Sequence, residues 1–227
     1  MLDKRSYWSV IDENRHLGQS CAALSEKLYA ADAAIHVGSP VGNLAGSAGL
    51  LKGLWSPLIA ALPDLERRTD ILLCGEFTNK AGETGNWFAS TGFLVGHFEE
   101  PLWSIKPTKR PLWIRYGWFD RAVGDRIVES YVIFDVARML IDAGQWPLAP
   151  QLGQNQWPAP RTQDGVLLGP TDPAESEQSL KLVEAMIAGL MRYDGQSLAS
   201  MRMIDFWHPQ FHWYGPVGIV SAQGHRV

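Results

Sequence analysis

The sequence has few cysteines, no excess of basic residues and no long hydrophobic run. Only Cys21 and Cys74 occur among its 227 residues, so neither a disulfide framework nor a cysteine zinc site is expected, and a reducing compartment is indicated. Its 20 Lys and Arg against 24 Asp and Glu argue against a nucleic-acid partner. No segment reaches the roughly 18 uninterrupted apolar residues of a membrane span, and the first residues lack the apolar core of a signal peptide. We therefore expect a cytoplasmic protein with no membrane partner.

Sequence motifs of several enzyme classes are also missing. There is no Gly-x-Gly-x-x-Gly or lysine-containing phosphate loop and no Gly-x-Ser-x-Gly elbow, which disfavours nucleotide cofactors and serine hydrolysis. His208 and His212 are four residues apart, but Pro209 argues against a helix that would bring them together. Neither a metal nor a cofactor is therefore expected. Hydrophobic residues make up 46% of the chain and include 10 Trp, so the chain packs a bulky core or lines an apolar cavity.

The spacing of apolar residues changes along the chain. Helical spacing predicts helices over 17–31 and 47–62, the second one kinked at Pro57, on either side of a short strand at 34–37. A period of two then predicts four strands, at 70–77, 86–98, 111–119 and 125–135. The stretch 120–124 between the last two is expected to be a hairpin turn. Helices followed by consecutive strands indicate an α+β fold, with the helices on one face of an antiparallel sheet.

The last third of the chain has a different composition. Residues 144–173 are rich in proline and glycine, as is typical of a linker or an extended arm, and helices are predicted over 176–192 and 198–206. Segment 212–218 resembles segment 35–42, although glycine and proline turns also match by chance. If the repeat is real, the tail begins a second, incomplete unit that cannot bury its own core. Such a tail docks on the first domain, docks on another copy or stays mobile.

The order of these elements resembles a known family. The chain contains, in order, a helix, a strand, a Gly/Pro turn, a helix ending in Leu-Pro-Asp, four strands and a short final helix. This order is similar to that of the SnoaL-like polyketide cyclases, or ester cyclases, of the nuclear-transport-factor-2-like superfamily. The resemblance covers about 17–144. It implies an α+β cone-shaped barrel, in which a curved, mainly antiparallel sheet wraps around helices and a deep apolar pocket. The corresponding division is a SnoaL-like domain at 1–146, a Pro/Gly-rich arm at 147–173 and a helical tail at 174–227 that looks like the start of a second unit.

The resemblance also implies cofactor-independent acid/base chemistry on a hydrophobic, carbonyl-bearing small molecule. The reaction is then a cyclisation, an aldol-type ring closure or an isomerisation. The acid/base carboxylate of the family carries over to Asp135, at the end of the last strand, where apolar neighbours raise the pKa of a carboxyl group. Asp135 can instead be the N-cap of the following helix, and both interpretations remain open.

Histidine and aromatic side chains are the other candidate site residues. His97, near the end of the long strand, is the candidate partner for proton relay, because histidine titrates near neutral pH, or else a rim histidine bonded to the backbone. The substrate-binding candidates are His36, Trp87, Trp113, Tyr116 and Tyr131. Each has a structural alternative, which is a bonded core histidine for the first and a packed core aromatic for the others. Strand alternation places Tyr131 on the same face as Asp135.

The resemblance further implies a homodimer, because folds of this kind cover an exposed sheet face. Fold does not fix function, so two other classes stay open. One is a non-catalytic small-molecule binding or dimerisation module of the same fold. The other is a degenerate tandem protein whose first unit is inactive.

Overall fold

Residue contacts divide the chain into two units. The computed structural model describes residues 1–79, 81–150, 159–160, 162–215, 217 and 221–224. The first unit comprises Met1–Ala149 and Pro158–Leu168, and the second comprises Pro150–Trp157 and Gly169–Val227. Within the described residues, no helix is long and apolar enough to cross a membrane.

Helices come first in the chain. They are α1 (Lys4–Glu13), α2 (Leu17–Leu28), α3 (Gly46–Leu50) and α4 (Ser56–Ala61), with a π-helical turn at Leu51–Trp55 between the last two. The predicted helix over 47–62 is confirmed as this continuous run of α3, π turn and α4. Pro57 has no N–H to donate to the previous turn, and the helix widens immediately before it, where Ser56 Oγ donates to Leu51 O (2.9 Å). Helix α1 was not predicted; it begins at Asp3, whose carboxylate accepts a hydrogen bond from Ser6 N (2.7 Å).

Six strands of the first unit form one curved sheet. They are β1 (Tyr29–Val37), β2 (Gly42–Ala45), β3 (Glu66–Thr78), β4 (Thr84–His97), β5 (Pro111–Val123) and β6 (Arg126–Phe134), followed by helix α5 (Val136–Asp142). The order across the sheet is β2-β1-β6-β5-β4-β3, in which β1 and β6 are parallel and every other pair is antiparallel. The predicted mixed fold with a mainly antiparallel sheet is confirmed.

One face of the sheet carries the helices and the core. The register pairs even-numbered residues of β4 and β5 on this inner face, where Phe88, Leu94, Ile114 and Trp118 are fully buried. Helix α1 packs against this inner face through Tyr7, whose ring stacks on Phe88 with the centroids 4.3 Å apart. Odd-numbered residues point to the outer face.

The turn predicted at 120–124 is wrong. Strand β5 runs through to Val123, and the chain reverses at Gly124, which has a positive φ of 67°. A register shift between Arg121 and Ala122 lets the strand continue with a local irregularity. As a consequence, Asp120 belongs to the inner face of the strand and is 1% exposed.

Part of the predicted arm joins the first unit. Leu72 N donates to Gly165 O (2.8 Å), and Val166 bridges the β3 edge at Leu72. This short addition protects an otherwise open edge strand.

The second unit begins with a helix. It contains α6 (Pro173–Leu190), two 3-10 turns at Leu198–Met201 and Met203–Asp205, and the strands β7 (His212–Trp213) and β8 (Ala222–Gln223), which pair antiparallel. The helix predicted over 198–206 takes the form of the two 3-10 turns. Pro216 and Gly218 of the suggested repeat lie outside the described residues, so the second SnoaL-like unit stays a prediction.

Candidate functional site

A buried carboxylate lies at the centre of the inner sheet face. Asp120 accepts hydrogen bonds from Tyr7 OH (2.7 Å), Trp118 Nε1 (2.9 Å), Tyr29 OH (3.2 Å) and the Ser130 hydroxyl. Burial raises the pKa of Asp120 above its ordinary value, although the bonds from Ser130 and Tyr7 lower it. Four donors from α1, β1, β5 and β6 therefore meet on one carboxyl group, which ties these elements together.

A buried guanidinium lies beside this network. Arg67, on β3, is 5% exposed, and its Nε and Nη2 donate to Tyr116 OH (3.3 Å) and Ser90 Oγ (3.0 Å). Its guanidinium carbon lies 5.0 Å from the ring centres of both Tyr116 and Trp118. Burial opposes the charge, but the hydroxyls of Tyr116 and Tyr7 hold the pKa of Arg67 above its ordinary value, so the side chain is cationic.

Among the described residues, Arg67 has no direct carboxylate partner, and only some of its N–H groups have hydrogen-bond acceptors. Among the described residues, no carboxylate oxygen lies within 4.0 Å of Arg67, and its Nη1 has no hydrogen-bond partner. The charge of Asp120 acts on it from a longer distance. A guanidinium that is 5% exposed and has no carboxylate partner among the described residues is unusual, because buried charges are normally paired and hydrogen-bonded.

A second incompletely bonded donor lies in the same interior. Trp55 closes the π-helical turn, is 1% exposed and stacks on Trp118 with 5.3 Å between the centroids and 8° between the planes. Its Nε1–H is buried and has no acceptor within the part of the chain that the structure describes. Most buried donors are satisfied, and π turns often occur at functional sites. The interior thus offers two open N–H donors that flank the Trp118 ring.

Asp135 directly follows strand β6. It is the N-cap of α5, where its Oδ1 accepts a hydrogen bond from Arg138 N (3.0 Å), so the cap interpretation is confirmed. The other carboxyl oxygen has no partner among the residues described. Burial raises the pKa of the half-buried Asp135, while the bond from Arg138 and the charge of Arg115 lower it. The preceding residue, Phe134, is on the inner face and meets the Trp118 ring edge-on at 6.4 Å.

The structure does not bring His97 to Asp135. The His97 ring is 55% exposed at the end of β4, and its Nδ1 lies 2.7 Å from Asp64 Oδ2. In the register, His97 is opposite Pro111, whereas the backbone N–H of Asp135 donates to Arg115 O. Four residues of β5 separate these two points, which is about 13 Å along the strand. His97 and Asp64 form a surface pair, and a direct relay between His97 and Asp135 has no support in this geometry.

Four of the five predicted substrate-binding residues lie on the outer sheet face. His36, Trp87, Trp113 and Tyr131 occupy outward-facing positions of β1, β4, β5 and β6. The Tyr131 ring stacks on His36 (4.8 Å) and on Trp87 (6.3 Å). We expected these four residues to bind substrate in the pocket, but they lie on the opposite face of the sheet. On β6, for example, the inner face carries Ser130, Val132 and Phe134. Tyr116 alone of the five lies in the interior, beside Arg67.

Sequence reasoning missed three interior polar groups. Arg67 stands in the run Glu-Arg-Arg-Thr, which looks like a solvated strand end, and Trp55 stands beside a helix-kinking proline. Asp120 was assigned to a turn. Its signal was present, because the apolar alternation Leu-x-Ile-x-Tyr-x-Trp from Leu112 to Trp118 continues in register to Asp120. Within the described residues, no group of three or more His, Cys, Asp or Glu side chains is placed to hold a metal ion.

Comparison with solved structures shows what the fold is similar to. IdmH from Streptomyces antibioticus, named provisionally as a polyketide cyclase, matches with a TM-score of 0.50 at 23% identity over 63% of this chain and 99% of its own. AclR from Streptomyces galilaeus, named provisionally as a hydroxylase, matches with a TM-score of 0.50 at 14% identity over 66% of this chain and 92% of its own. A provisionally named SnoaL-like polyketide cyclase from Jannaschia sp. CCS1 matches with a TM-score of 0.48 at 11% identity, over 63% and 93%.

These likenesses concern the fold. The predicted resemblance to SnoaL-like, nuclear-transport-factor-2-like proteins is confirmed at that level. The names attached to the two matches at 0.50 differ in activity, in keeping with a fold that hosts several chemistries. No family model and no curated protein matches the sequence.

Proposed function

We propose that this chain, which has the fold of the SnoaL-like polyketide cyclases, is a cofactor-independent acid/base enzyme. Its substrate is a hydrophobic, carbonyl-bearing small molecule held between the inner sheet face and the helices. The reaction is an aldol-type ring closure or an isomerisation. The observation that carries the proposal is the half-buried carboxyl of Asp135 at the end of β6, which has a raised pKa and one oxygen without a partner among the described residues.

Asp135 is chemically suited to proton transfer. As a carboxylate it takes a proton from the carbon beside the substrate carbonyl, which leaves an enolate. In an isomerisation, the protonated Asp135 returns that proton to another carbon of the same molecule. In a ring closure, the enolate carbon forms the new C–C bond with a second carbonyl carbon, and the resulting alkoxide takes the proton from Asp135. Both sequences are redox-neutral and restore the carboxylate.

The other interior carboxyl group is less suited to this role. All four donors around Asp120 point at its oxygens, so its acceptor sites are filled by the protein itself. A carboxylate engaged in this way holds structure rather than exchanging protons with a ligand. Asp120 therefore positions Tyr7, Tyr29 and Trp118, while Asp135 moves the proton.

Exchange of α-protons tests the proposal without knowledge of the natural substrate. The protein is incubated in D2O with 2-tetralone, a hydrophobic ketone, and loss of the α-proton signals is followed by NMR. We expect wild-type protein to accelerate the exchange and Asp135→Asn to lose about 10²–10⁴-fold of that acceleration, the usual contribution of one acid/base group. Asparagine caps helices as well as aspartate does, so this variant keeps α5.

A matched variant separates the two roles of the residue. Asp172 is the N-cap of α6 and accepts a hydrogen bond from Ala174 N (2.8 Å), so Asp172→Asn makes the same change at a cap without the proposed chemistry. Its exchange rate should equal that of wild type. Full activity in Asp135→Asn would exclude this carboxyl as the base, and ligand binding without any exchange in wild type would favour the binding module instead.

We also propose that the chain forms a homodimer through the outer sheet face. Seven large apolar side chains of this face are 42–63% exposed: Leu73, Phe77, Trp113, Phe119, Val123, Tyr131 and Ile133. With ~200 Å² for each side chain, about half of it exposed, they present ~700 Å² per copy and ~1,400 Å² for two copies. Monomers rarely expose such a patch, and this total matches a standard interface. Sedimentation at micromolar concentration tests the proposal, and a monomer there would contradict it.

A further inference from the structure

We propose that Arg67 is a substrate-binding residue that takes the carboxylate of an apolar acid, with its open N–H groups as the anchor. The substrate is thus an apolar molecule that carries a carboxylate in addition to the reacting carbonyl. This inference rests on the proposed acid/base function, because it names the substrate class of the same interior site. Nothing in the family resemblance assigns this residue.

The first support is the enclosure of an unpaired charge. Arg67 is buried, and within the part of the chain that the structure describes only Nε and Nη2 of its guanidinium are bonded, to the neutral hydroxyls of Tyr116 and Ser90. A surface arginine in this state would be satisfied by water. A buried one is stabilised when an anion completes its hydrogen bonds, and the planar fork of arginine fits a carboxylate with two parallel bonds.

The second support is that the neighbouring carboxylate is already occupied. Asp120 reaches Arg67 through its charge but makes its hydrogen bonds with the Tyr7, Tyr29, Trp118 and Ser130 side chains. Its charge therefore offsets that of Arg67 at a distance, and among the described residues it takes no hydrogen bond from the guanidinium. This arrangement lowers the desolvation cost of a buried cation without blocking the cation as a binding site.

The third support is the shape of the surroundings. The guanidinium carbon lies 5.0 Å from the Tyr116 and Trp118 ring centres, so flat apolar surfaces border the anion position. The Trp55 ring stacks on the same tryptophan, and its Nε1–H, which has no acceptor among the described residues, supplies a second donor suited to a carbonyl oxygen. An aromatic acid with a carbonyl group thus finds a cation, flat walls and a neutral donor in one interior.

Binding of a matched ligand pair tests the inference in unmodified protein. Naphthalene-2-carboxylate and naphthalene-2-carboxamide have the same size and shape but differ in charge. Isothermal titration calorimetry should show at least a tenfold tighter binding of the carboxylate, since a hydrogen bond to a charged group contributes more than one between neutral groups. Equal affinities, or tighter binding of the carboxamide, would overturn the proposal.

Variants then assign the preference to this residue. Arg67→Lys keeps the charge but loses the fork, so the carboxylate preference should shrink, and Arg67→Met should abolish it. Arg68→Met is the matched control, because Arg68 is the next residue along β3 and points outward to Glu66, with Nη2 2.9 Å from Oε2. A preference that persists in Arg67→Met but falls in Arg68→Met would place the anion on the surface and refute the inference. If Arg67→Met does not fold, the comparison of Arg67→Lys with Arg68→Met decides in the same way.

The proposed function can fail independently of this inference. Asp135→Asn should leave the carboxylate preference unchanged, because Arg67 and not Asp135 holds the anion. Selective carboxylate binding without proton exchange would keep the inference and discard the enzyme. Proton exchange on 2-tetralone without any carboxylate preference would keep the enzyme and discard the inference.

Discussion

Replacing Asp120 with asparagine is the sharpest test of the interior network. The side chains of Tyr7, Tyr29, Trp118 and Ser130 all donate to the two carboxylate oxygens. An asparagine has one oxygen and one NH2 group, so the NH2 group takes the place of one acceptor oxygen. The groups that donated to this oxygen must then turn to accept from the NH2 group or lose their hydrogen bond. Leaving one buried donor unsatisfied costs about 1–3 kcal/mol.

The same change removes the negative charge that opposes Arg67. Breaking a directly bonded buried ion pair costs about 3–5 kcal/mol, and the cost is smaller here because the two groups do not touch. We therefore expect Asp120→Asn to lower the free energy of unfolding by about 3–5 kcal/mol. For a chain of this size that corresponds to a fall of ~10 °C in Tm.

Urea unfolding followed by tryptophan fluorescence measures this loss. Asp125→Asn is the control, because Asp125 is an exposed residue of the β5–β6 turn and its replacement should stay within about 0.5 kcal/mol of wild type. In the Asp120→Asn background, Arg67→Met should cost less than it does in wild type, because the cation has already lost its counter-charge. A loss below about 1 kcal/mol in Asp120→Asn, or strictly additive effects of the two changes, would refute the account of a charged, cooperative network.

Two further predictions concern the surface of the first unit. The hydrogen bond with Asp64 raises the pKa of His97. The stability that protonated His97 contributes is therefore fully present below the pKa of histidine in the unfolded chain, and it is lost as pH rises through the pKa of His97 in the folded protein. The bond with His97 lowers the pKa of Asp64, so the stability that Asp64 contributes is lost as pH falls through its folded pKa. The difference in unfolding free energy between wild type and His97→Gln should therefore peak near pH ~5 and fall above pH ~7. A difference that does not change with pH would contradict this prediction. On the outer face, Ile133→Asp should convert the expected dimer to monomer in sedimentation, and an unchanged dimer would place the interface elsewhere.

The sequence predicted the fold well because its signals are periodic and local. The kinked helix before Pro57 follows from a helical apolar stripe interrupted by a residue without an N–H. The long strands follow from uninterrupted alternation, as in β4 from Thr84 to His97. Helix α1 escaped prediction because its apolar residues Tyr7, Val10 and Ile11 are too few to form a clear pattern.

The inner and outer faces of the sheet were harder to tell apart. Both faces are rich in aromatic residues, so alternation groups Trp87 with Phe93 and Trp118 with Tyr116 but does not say which group faces the helices. The outer set includes large apolar side chains that stay exposed, and this exposed apolar surface is the property on which the proposed dimer rests. A sheet with two apolar faces therefore conceals the position of its binding site from sequence reasoning.

Two aspartates in similar sequence settings have opposite relations to their neighbours. Asp120 lies within the alternating strand β5 and Asp135 directly follows the alternating strand β6, and burial raises the pKa of both. Asp120 is reached by donors from four different elements, so removal of its charge should reduce stability. Asp135 gives one oxygen to a helix cap that asparagine can replace, and its other oxygen has no partner in the described part of the chain. Under the proposed function, removal of its charge should therefore reduce proton transfer and leave stability nearly intact. Measuring both quantities for both variants thus separates the carboxyl that holds the first unit together from the carboxyl proposed to act on the substrate.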